Sequence, residues 1–550
     1  MNIYKEILKQ NIPKLLNLYD LDPSSITYGN GDRLFWGWKV SDFTNATMQG
    51  GVNSLAIAIK LDIVDNKEFI LKVIDGAIKA IDSVKDKKGA LQEAYPSEHS
   101  FCVTALVAFD VLSAIKHLNN EISSEKKNEY LGIIKPLITF ITETDEDHAI
   151  ISNHLATAVA AIILWNRLYN DNNYRYKKLL DIIYKNQSKE GWYKEYDGAD
   201  PGYETLCLYY LSSAFYNSNN GLDDISDSQK SIHTHVNTKE ETGKIKLKES
   251  IIKSATFLKH FIHPDHTIGG LYGSRNTEVY YPGGIIALSN LSNDFALIAK
   301  ELEKGIINSN HLLPQNIDSG NYIPYINSYA YAALHYDKNK DIINSGTEQT
   351  VFENTFEKDF KEAGIFLKSS KNYFVIISYK KGGTLKVFNK KNNKIDIEDG
   401  GIYGELKDGT KFSSQAFVDA KSFNNYEIRV NFYKLNNAYP TPSSFIILRI
   451  LAFTFFKSLT IGKFFKKYIV RKLMRSKKRV NGRGIRKFIF EEEKIFVEES
   501  IITPRNLKFI KHIGKFRAIH MASSGYFLKQ ILEEPVKSQI VEFNNVNSKI

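Results

Sequence analysis

Six times before about residue 340 a short polar or aromatic loop runs into a helix of small and aliphatic residues, and this recurrence constrains the fold more than anything else in the chain. The loops are Phe43-Thr44-Asn45-Ala46, Ser97-Glu98-His99-Ser100, Ser152-Asn153-His154, Pro201-Gly202-Tyr203-Glu204, Glu278-Val279-Tyr280-Tyr281 and Tyr322-Ile323-Pro324-Tyr325. Measured from Thr44, Ser97, Ser152, Pro201, Thr277 and Tyr322, the steps are 53, 55, 49, 76 and 45 residues. Between them lie stretches with apolar residues at helical spacing, 69–81, 130–141, 176–184, 251–261 and 295–302. Helices apolar all round belong inside and half-apolar ones outside. A period of roughly 50 residues holding one of each therefore predicts helical hairpins in an array, closed or nearly closed into an α/α toroid of about six hairpins. The long fourth step reads as a loose surface loop over 217–246, rich in Ser, Asn, Asp and Lys.

Beyond residue 347 the texture changes to short β-branched runs such as Tyr373-Phe374-Val375-Ile376-Ile377-Ser378-Tyr379 and Thr384-Leu385-Lys386-Val387-Phe388, punctuated by Gly, Asn and Asp turns. That pattern predicts an antiparallel β-sandwich, which 399–404, 488–490, 494–498 and 516–521 continue. The 550 residues exceed one ordinary core. The expected organisation is multidomain, α and β: an N-terminal α/α toroid over 1–345 followed by the sandwich over 346–550.

The net charge of +11 is local. Residues 428–490 hold sixteen Lys or Arg and no Asp or Glu, so the rest of the chain sums to −5. Without a helix-turn-helix, finger or recognition motif, an excess confined in this way argues against nucleic-acid binding. Inside it lies an insert over 442–487. It opens on Pro442 and the apolar run 445–456, about half the ~20 residues needed to span a bilayer. Ile461, Phe464, Phe465, Tyr468, Ile469 and Leu473 then alternate with Lys463, Lys466, Lys467, Arg471, Lys472 and Arg475. A basic amphipathic helix of this kind suits an anionic membrane surface, with 445–475 as the docking segment; the alternative is a helix packed on the sandwich with a solvated basic face. The first nine residues contain no continuous apolar stretch, so no secretory signal is read there. Cys102 and Cys207 offer no disulfide framework. The expected location is cytoplasmic, peripheral on the inner face of the membrane.

Asn153 and His154 place two polar side chains at the start of an otherwise apolar helix. They either cap it or face a ligand at the mouth lined by the loops before the inner helices. Asp200-Pro201-Gly202 makes a tight entry to the helix that Tyr203 opens, and Arg275 lies in the turn Gly273-Ser274-Arg275-Asn276. Together with Lys381-Gly382-Gly383-Thr384 in the sandwich, these residues make the chain resemble the heparinase II/III-like polysaccharide lyases and their toroid-lyase relatives. The resemblance implies an enzyme acting on an acidic, uronate-containing glycan by C5 proton abstraction and β-elimination, a carbon–oxygen lyase. Catalysis would fall to Asn153, His154, Tyr203 and Arg275. The insert has no counterpart in the family pattern, and the sandwich histidine of several members is unmatched, leaving His335, His512 and His520 as candidates.

The chemistry asks for such residues. Removing a proton next to a carboxylate builds charge beside an existing anion, so a site must neutralise the carboxylate and position a base and an acid. Asn153 is suited to donate to the carboxylate, His154 to abstract or hydrogen-bond, and Tyr203 to take the proton or return it to the departing oxygen. A Tyr starts near pKa 10, so such a base needs a cation beside it, and Arg275 is the available one. Trp36, Trp38, Glu98, His99, Trp192, Asn276, Glu278 and Tyr281 are expected to contact substrate.

Three other readings share these residues. A uronyl C5-epimerase working on a lipid-linked or nascent cell-surface glycan uses the same abstraction step. A glycoside hydrolase would use a carboxylate pair drawn from Glu98, Asp197, Asp200 and Glu278, and a glycan-binding protein with a degenerate site would use neither. No metal or cofactor is expected. His263 with His266, and His233 with His235, lack a third ligand at motif spacing, and no phosphate-cradling Gly loop precedes a helix.

Overall fold

The computed structural model describes residues 1–146, 149–218, 238–345, 349–416, 423–435, 441–469, 477–514 and 538–549. Twelve of its helices form the ring: α1 (Ile3–Leu16) and, after the one-turn α2 (Arg33–Trp36), α3 (Val52–Lys60), α4 (Lys67–Val84), α5 (Phe101–His117), α6 (Ser124–Glu143), α7 (Ser152–Tyr169), α8 (Arg175–Asn186), α9 (Pro201–Asn217), α10 (Thr238–Leu258), α11 (Pro282–Ala287), α12 (Asn293–Ile307) and α13 (Ser319–Ser345). They pack as six pairs, α3 with α4, α5 with α6, α7 with α8, α9 with α10, α11 with α12, and α13 with α1. The first helix of each pair lies inside; five of the inner helices start at or just after one of the six polar segments, whereas Tyr322-Ile323-Pro324-Tyr325, expected as a loop, lies within α13, which begins at Ser319. Every residue of α3 except Lys60 is buried, whereas α4 buries only one face. Packing of α13 against both α1 and α3 closes the ring. The reach of α10 back to Thr238 shortens the loop expected over 217–246, of which 219–237 lie outside the described residues.

Helix starts follow local chemistry. Asn66, Ser100, Ser123, Asp200 and Ser292 each accept a backbone N–H in the first turn of the helix that follows. The shortest inner helix, α11, opens Pro282-Gly283-Gly284, and its glycines let it press on its neighbours. A Cβ on Gly284 would lie 2.4–2.6 Å from the Leu208 and Tyr209 backbone of α9, and one on Gly283 would lie 2.7 Å from the Ser328 carbonyl of α13. Gly284→Ala is therefore expected to destabilise the fold by about 1–3 kcal/mol or more, measured by urea unfolding; an unmoved midpoint would show that α9 and α11 separate at no cost.

Two sheets follow. The first orders β1 (Phe356–Phe360), β2 (Ile365–Ser369), β3 (Tyr373–Ser378), β4 (Thr384–Asn389) and β5 (Lys394–Asp399) as neighbours, all antiparallel. The second contains β6 (Ile402–Leu406), β7 (Lys411–Ser413), β8 (Glu427–Lys434), β9 (Arg479–Phe490), β10 (Ile495–Ile502), β11 (Leu507–His512) and β12 (Val541–Lys549), in the order β11-β6-β7-β8-β9-β10-β12. One pairing departs from the all-antiparallel expectation: β12 runs parallel to β10. The first sheet is the middle of three layers. Phe374, Ile376 and Phe388 belong to the hydrophobic cluster of the toroid, while Tyr373, Val375, Ile377, Leu385 and Val387 pack with Ile428, Val430, Phe488, Ile495 and Val497 of the second sheet. Burial on both faces explains why β3 is apolar throughout rather than alternating.

The insert is shorter than the span 442–487. Helices α14 (Pro442–Phe453) and α15 (Leu459–Ile469) leave β8, but Arg479–Phe490 is a strand in the middle of the second sheet. Arg486, within the bounds expected for the insert, is fully buried in that strand. Arg471, Lys472, Leu473 and Arg475, and the stretch 516–521, lie outside the described residues. No helix among the described residues is long and apolar enough to cross a membrane.

Candidate active site

Helix α7 lacks a side-chain cap of its own: Ile151 holds the cap position and neither Ser152 nor Asn153 fills the role. Glu195 supplies it from the loop between α8 and α9. Its Oε1 accepts the Asn153 backbone N–H at 3.0 Å and its Oε2 the Asn153 side-chain amide at 2.8 Å. An isolated bridge between Ile151 and Glu195 and the bond from Ser152 Oγ to the Lys194 carbonyl (2.8 Å) hold the two chains together.

A second anchor is Asp200. Its Oδ1 accepts the Tyr203 N–H at 3.0 Å and caps α9, and its Oδ2 accepts the Arg275 N–H at 2.7 Å. The turn before α11 is thus tied to the start of α9. Arg275 Nη1 lies 3.3 Å from Glu195 Oε2, and its guanidinium sits 3.7 Å from the centre of the Tyr203 ring and 5.0 Å from that of Tyr196. Loops preceding α7, α9 and α11 therefore bring Asn153, Glu195, Tyr203 and Arg275 into one buried cluster.

The sheet domain completes the support. Lys381, on the turn between β3 and β4, sends its buried ammonium across to the Gly273 carbonyl (2.6 Å) and to Asn276 Oδ1. Burial pulls the pKa of this Lys down to about 7. Burial likewise pushes the Glu195 carboxyl up to about 7, although Arg275 and the Asn153 donors pull the other way. Arg275 is raised, since two tyrosines, Glu195 and Asp200 outweigh its desolvation. The outcome is a carboxyl that exchanges its proton near neutrality beside a fixed cation and a tyrosine, the kind of perturbed cluster used for proton transfer.

His154 stands at the edge, with Nδ1 2.8 Å from Glu146 Oε2. Other expected contacts are placed differently. Glu98 turns back to accept the Glu93 and Ala94 amides, and His99 is covered by the insert, between Asp86 and the Phe456 carbonyl. Trp192 is buried at the seam with the sheet domain and donates to Glu190, whose carboxylate accepts the Glu362 and Ala363 amides. Trp36 donates to the Leu18 carbonyl, while Trp38 is exposed. Asn276 serves Lys381, Tyr281 is core packing against Tyr325, and Glu278 acts on Lys386 of β4. Their loop positions before inner helices predict a place at the mouth; several of these loops face the sheet layer instead.

The histidine candidates lie elsewhere too. His512 belongs to an ion network in the second sheet, and His520 lies outside the described residues. His335 lines a cavity of about 960 Å³ at the opposite, C-terminal ends of the inner helices, with Lys60, Lys116, Arg167 and Lys338. His263 is held by Thr267 and Tyr272, His233 and His235 lie outside the described residues, and no group of three or more His, Cys, Asp or Glu that could hold a metal occurs among those described. Glu195 escaped sequence reading, because its capping role joins segments 42 residues apart.

The layout defines a class, an α/α toroid carrying a two-sheet β domain. No protein-family model matches the chain, and no curated protein sequence matches it. Among solved structures it is similar to a Paenibacillus xanthan lyase (TM-score 0.45, 10% identity, 78% of this chain and 44% of that one). It is also similar to the Streptomyces coelicolor A3 chondroitin AC lyase in complex with chondroitin sulphate (TM-score 0.46, 9% identity, 79% and 64%). A termite endoglucanase from Nasutitermes takasagoensis is similar at a TM-score of 0.32 and 13% identity, over 60% of this chain and 77% of that one. The chain spans under half the length of the first of these and under two thirds of the second.

Proposed function

We propose that the protein is a polysaccharide lyase-type enzyme acting on a uronate-containing glycan. The observation that carries the reading is the cluster itself: the Asn153 amide and a Glu195 carboxyl poised near neutrality, set against Tyr203 under the Arg275 guanidinium. Protonated Glu195, Asn153 and Arg275 form the pole that takes the uronate carboxylate and drains charge from the C5 carbanion. Tyr203, its ring 3.7 Å from the Arg275 guanidinium, acts as the phenolate that removes the C5 proton and returns it to the leaving glycosidic oxygen. A hydrolase needs two unencumbered carboxyls. Asp200 spends both oxygens on backbone amides, and Glu204 accepts the Tyr193 N–H and the Ser254 hydroxyl.

Screening acidic glycans with three readouts tests this. Elimination yields a 4,5-unsaturated uronate absorbing in the near ultraviolet. Hydrolysis yields reducing ends without that chromophore, and epimerisation exchanges the C5 hydrogen in deuterated water without scission. Near-ultraviolet absorbance growing with chain scission is the expected result. Exchange alone would overturn elimination in favour of the epimerase, new ends without absorbance would favour a hydrolase, and binding without any of the three a glycan-binding protein.

A further inference from the structure

We propose that the face built by α14 and α15 docks on an anionic lipid bilayer and thereby sets the toroid mouth against the membrane surface. The inference is independent of the catalytic reading. Large apolar side chains on this insert face outward: Phe445, Ile446, Ile447, Ile450, Phe453, Phe455, Ile461, Phe464 and Tyr468, with Ile446 61% and Phe464 69% exposed. Ile446, Ile450 and Phe453, at i, i+4 and i+7, share one helix face. Exposed apolar surface of this extent marks an interaction site rather than ordinary surface scatter.

The insert is fastened to the mouth loops. Arg449 pairs with Asp42 at 2.6 Å and lies 5.0 Å over the Phe43 ring, and His99 Nε2 meets the Phe456 carbonyl at 3.0 Å. The Phe456 ring is buried between Tyr95 and Phe465, so it is an anchor to the toroid and not part of the outward face. Just upstream of Asp42, Leu34, Trp38 and Val40 are exposed as well, Trp38 at 68%. Two segments joined by an ion pair between positions 407 residues apart thus turn apolar side chains outward, including a Trp of the type that settles at a membrane–water interface.

Charge chooses the occupant. Lys457 and Lys467 are exposed on the same insert, Lys463 acts on Asp145 of the toroid, and no acidic residue occurs between 428 and 490. An anionic headgroup layer complements such a surface, and each near-surface Lys or Arg adds a salt-screened attraction. A second copy of the chain would set two surfaces of excess positive charge against each other. Over the described residues neither helix is long enough to cross, which fits helices lying in the plane of the interface.

The test is co-sedimentation of the full chain with vesicles of phosphatidylcholine, alone or mixed with phosphatidylglycerol, across a salt series. Binding to the mixed vesicles, weakened by salt and much lower on phosphatidylcholine alone, is the expected result. A variant carrying Ile446→Ser, Ile447→Ser, Ile450→Ser and Phe464→Ser, all at exposed positions, is expected to bind about a hundredfold more weakly even at low salt, with an unchanged circular dichroism spectrum. Full solubility beside anionic vesicles at low ionic strength would overturn the proposal. So would retention of binding by the serine variant, which would reduce it to adsorption by charge, and so would a concentration-dependent dimer of the wild type that the variant abolishes in the absence of lipid.

Discussion

Replacing Tyr203 by Phe is expected to lower turnover of the responsive glycan by on the order of 10²–10⁴-fold, the usual loss on removing one positioned acid–base group. The phenyl ring keeps the contact with Arg275, so circular dichroism and the unfolding midpoint should stay close to those of the parent protein. Asn153→Ala and His154→Ala should also fold and lose most turnover; full activity in all three would remove this cluster from consideration. A pH profile separates chemistry from bracing. With Glu195 raised by burial to about 7 and required as the protonated donor, kcat/KM should fall as pH rises through that value. Glu195→Gln keeps a donor at every pH, so its profile should lack that fall. A rate that climbs through pH 7 would instead make Glu195 the base, and an unaltered fall in the Gln variant would leave it a purely structural cap of α7.

The other large effect is expected far from the mouth. Arg486, fully buried in β9, holds Glu499 at 2.7 Å through Nε and pairs with Asp399 through Nη2, while His512 lies 2.7 Å from Glu499 and 3.3 Å from Asp399. Arg486→Met leaves two carboxylates enclosed with only a partly exposed imidazole, and should cost about 3–5 kcal/mol of unfolding free energy in a urea titration followed by circular dichroism. If the triple variant Arg486→Met, Asp399→Asn, Glu499→Gln recovers little of that loss, the cost is one of packing and the ionic account fails. Protonation adds a sign. Burial opposes the His512 charge, yet the hydrogen bonds its ring donates to the two carboxylates carry its pKa up to about 9. Its contribution is therefore complete below the unfolded value near 6.5 and lost as pH climbs towards 9. Asp399, held low by Arg486 and His512 against its burial, works in the opposite direction and loses its contribution only in strong acid.

Much of the fold was legible because its signals are local. The starts of five inner helices stand out as polar segments before runs of small apolar residues, and even α11 is announced by Pro282-Gly283-Gly284, whereas the start of α13 at Ser319 lies ahead of the segment Tyr322–Tyr325 expected to mark it. Arg486 was not legible as a buried charge because it sits in a basic run that reads as solvated. The available signal was the alternation of β9, which turns Val480, Gly484, Arg486 and Phe488 inward together. Asn153, Tyr203 and Arg275 could be named from sequence since each opens an inner helix or the turn before one. Glu195 could not, since Lys194-Glu195-Tyr196-Asp197 resembles any polar loop and gains meaning only from a bridge to Ile151. Trp192 shows the reverse error, a conspicuous residue whose loop faces the sheet layer.

The bond from Lys381 to the turn of Arg275 spans 105 residues and joins the two architectures of the chain. Its consequence concerns inheritance. A toroid recombined with a foreign sheet domain would keep its helices and its mouth, but the turn that aims the guanidinium would lose its brace. Exchange of whole modules, a common route to new specificities, is therefore closed to this chain unless both halves of that contact travel together, and drift at position 381 counts as drift in the site.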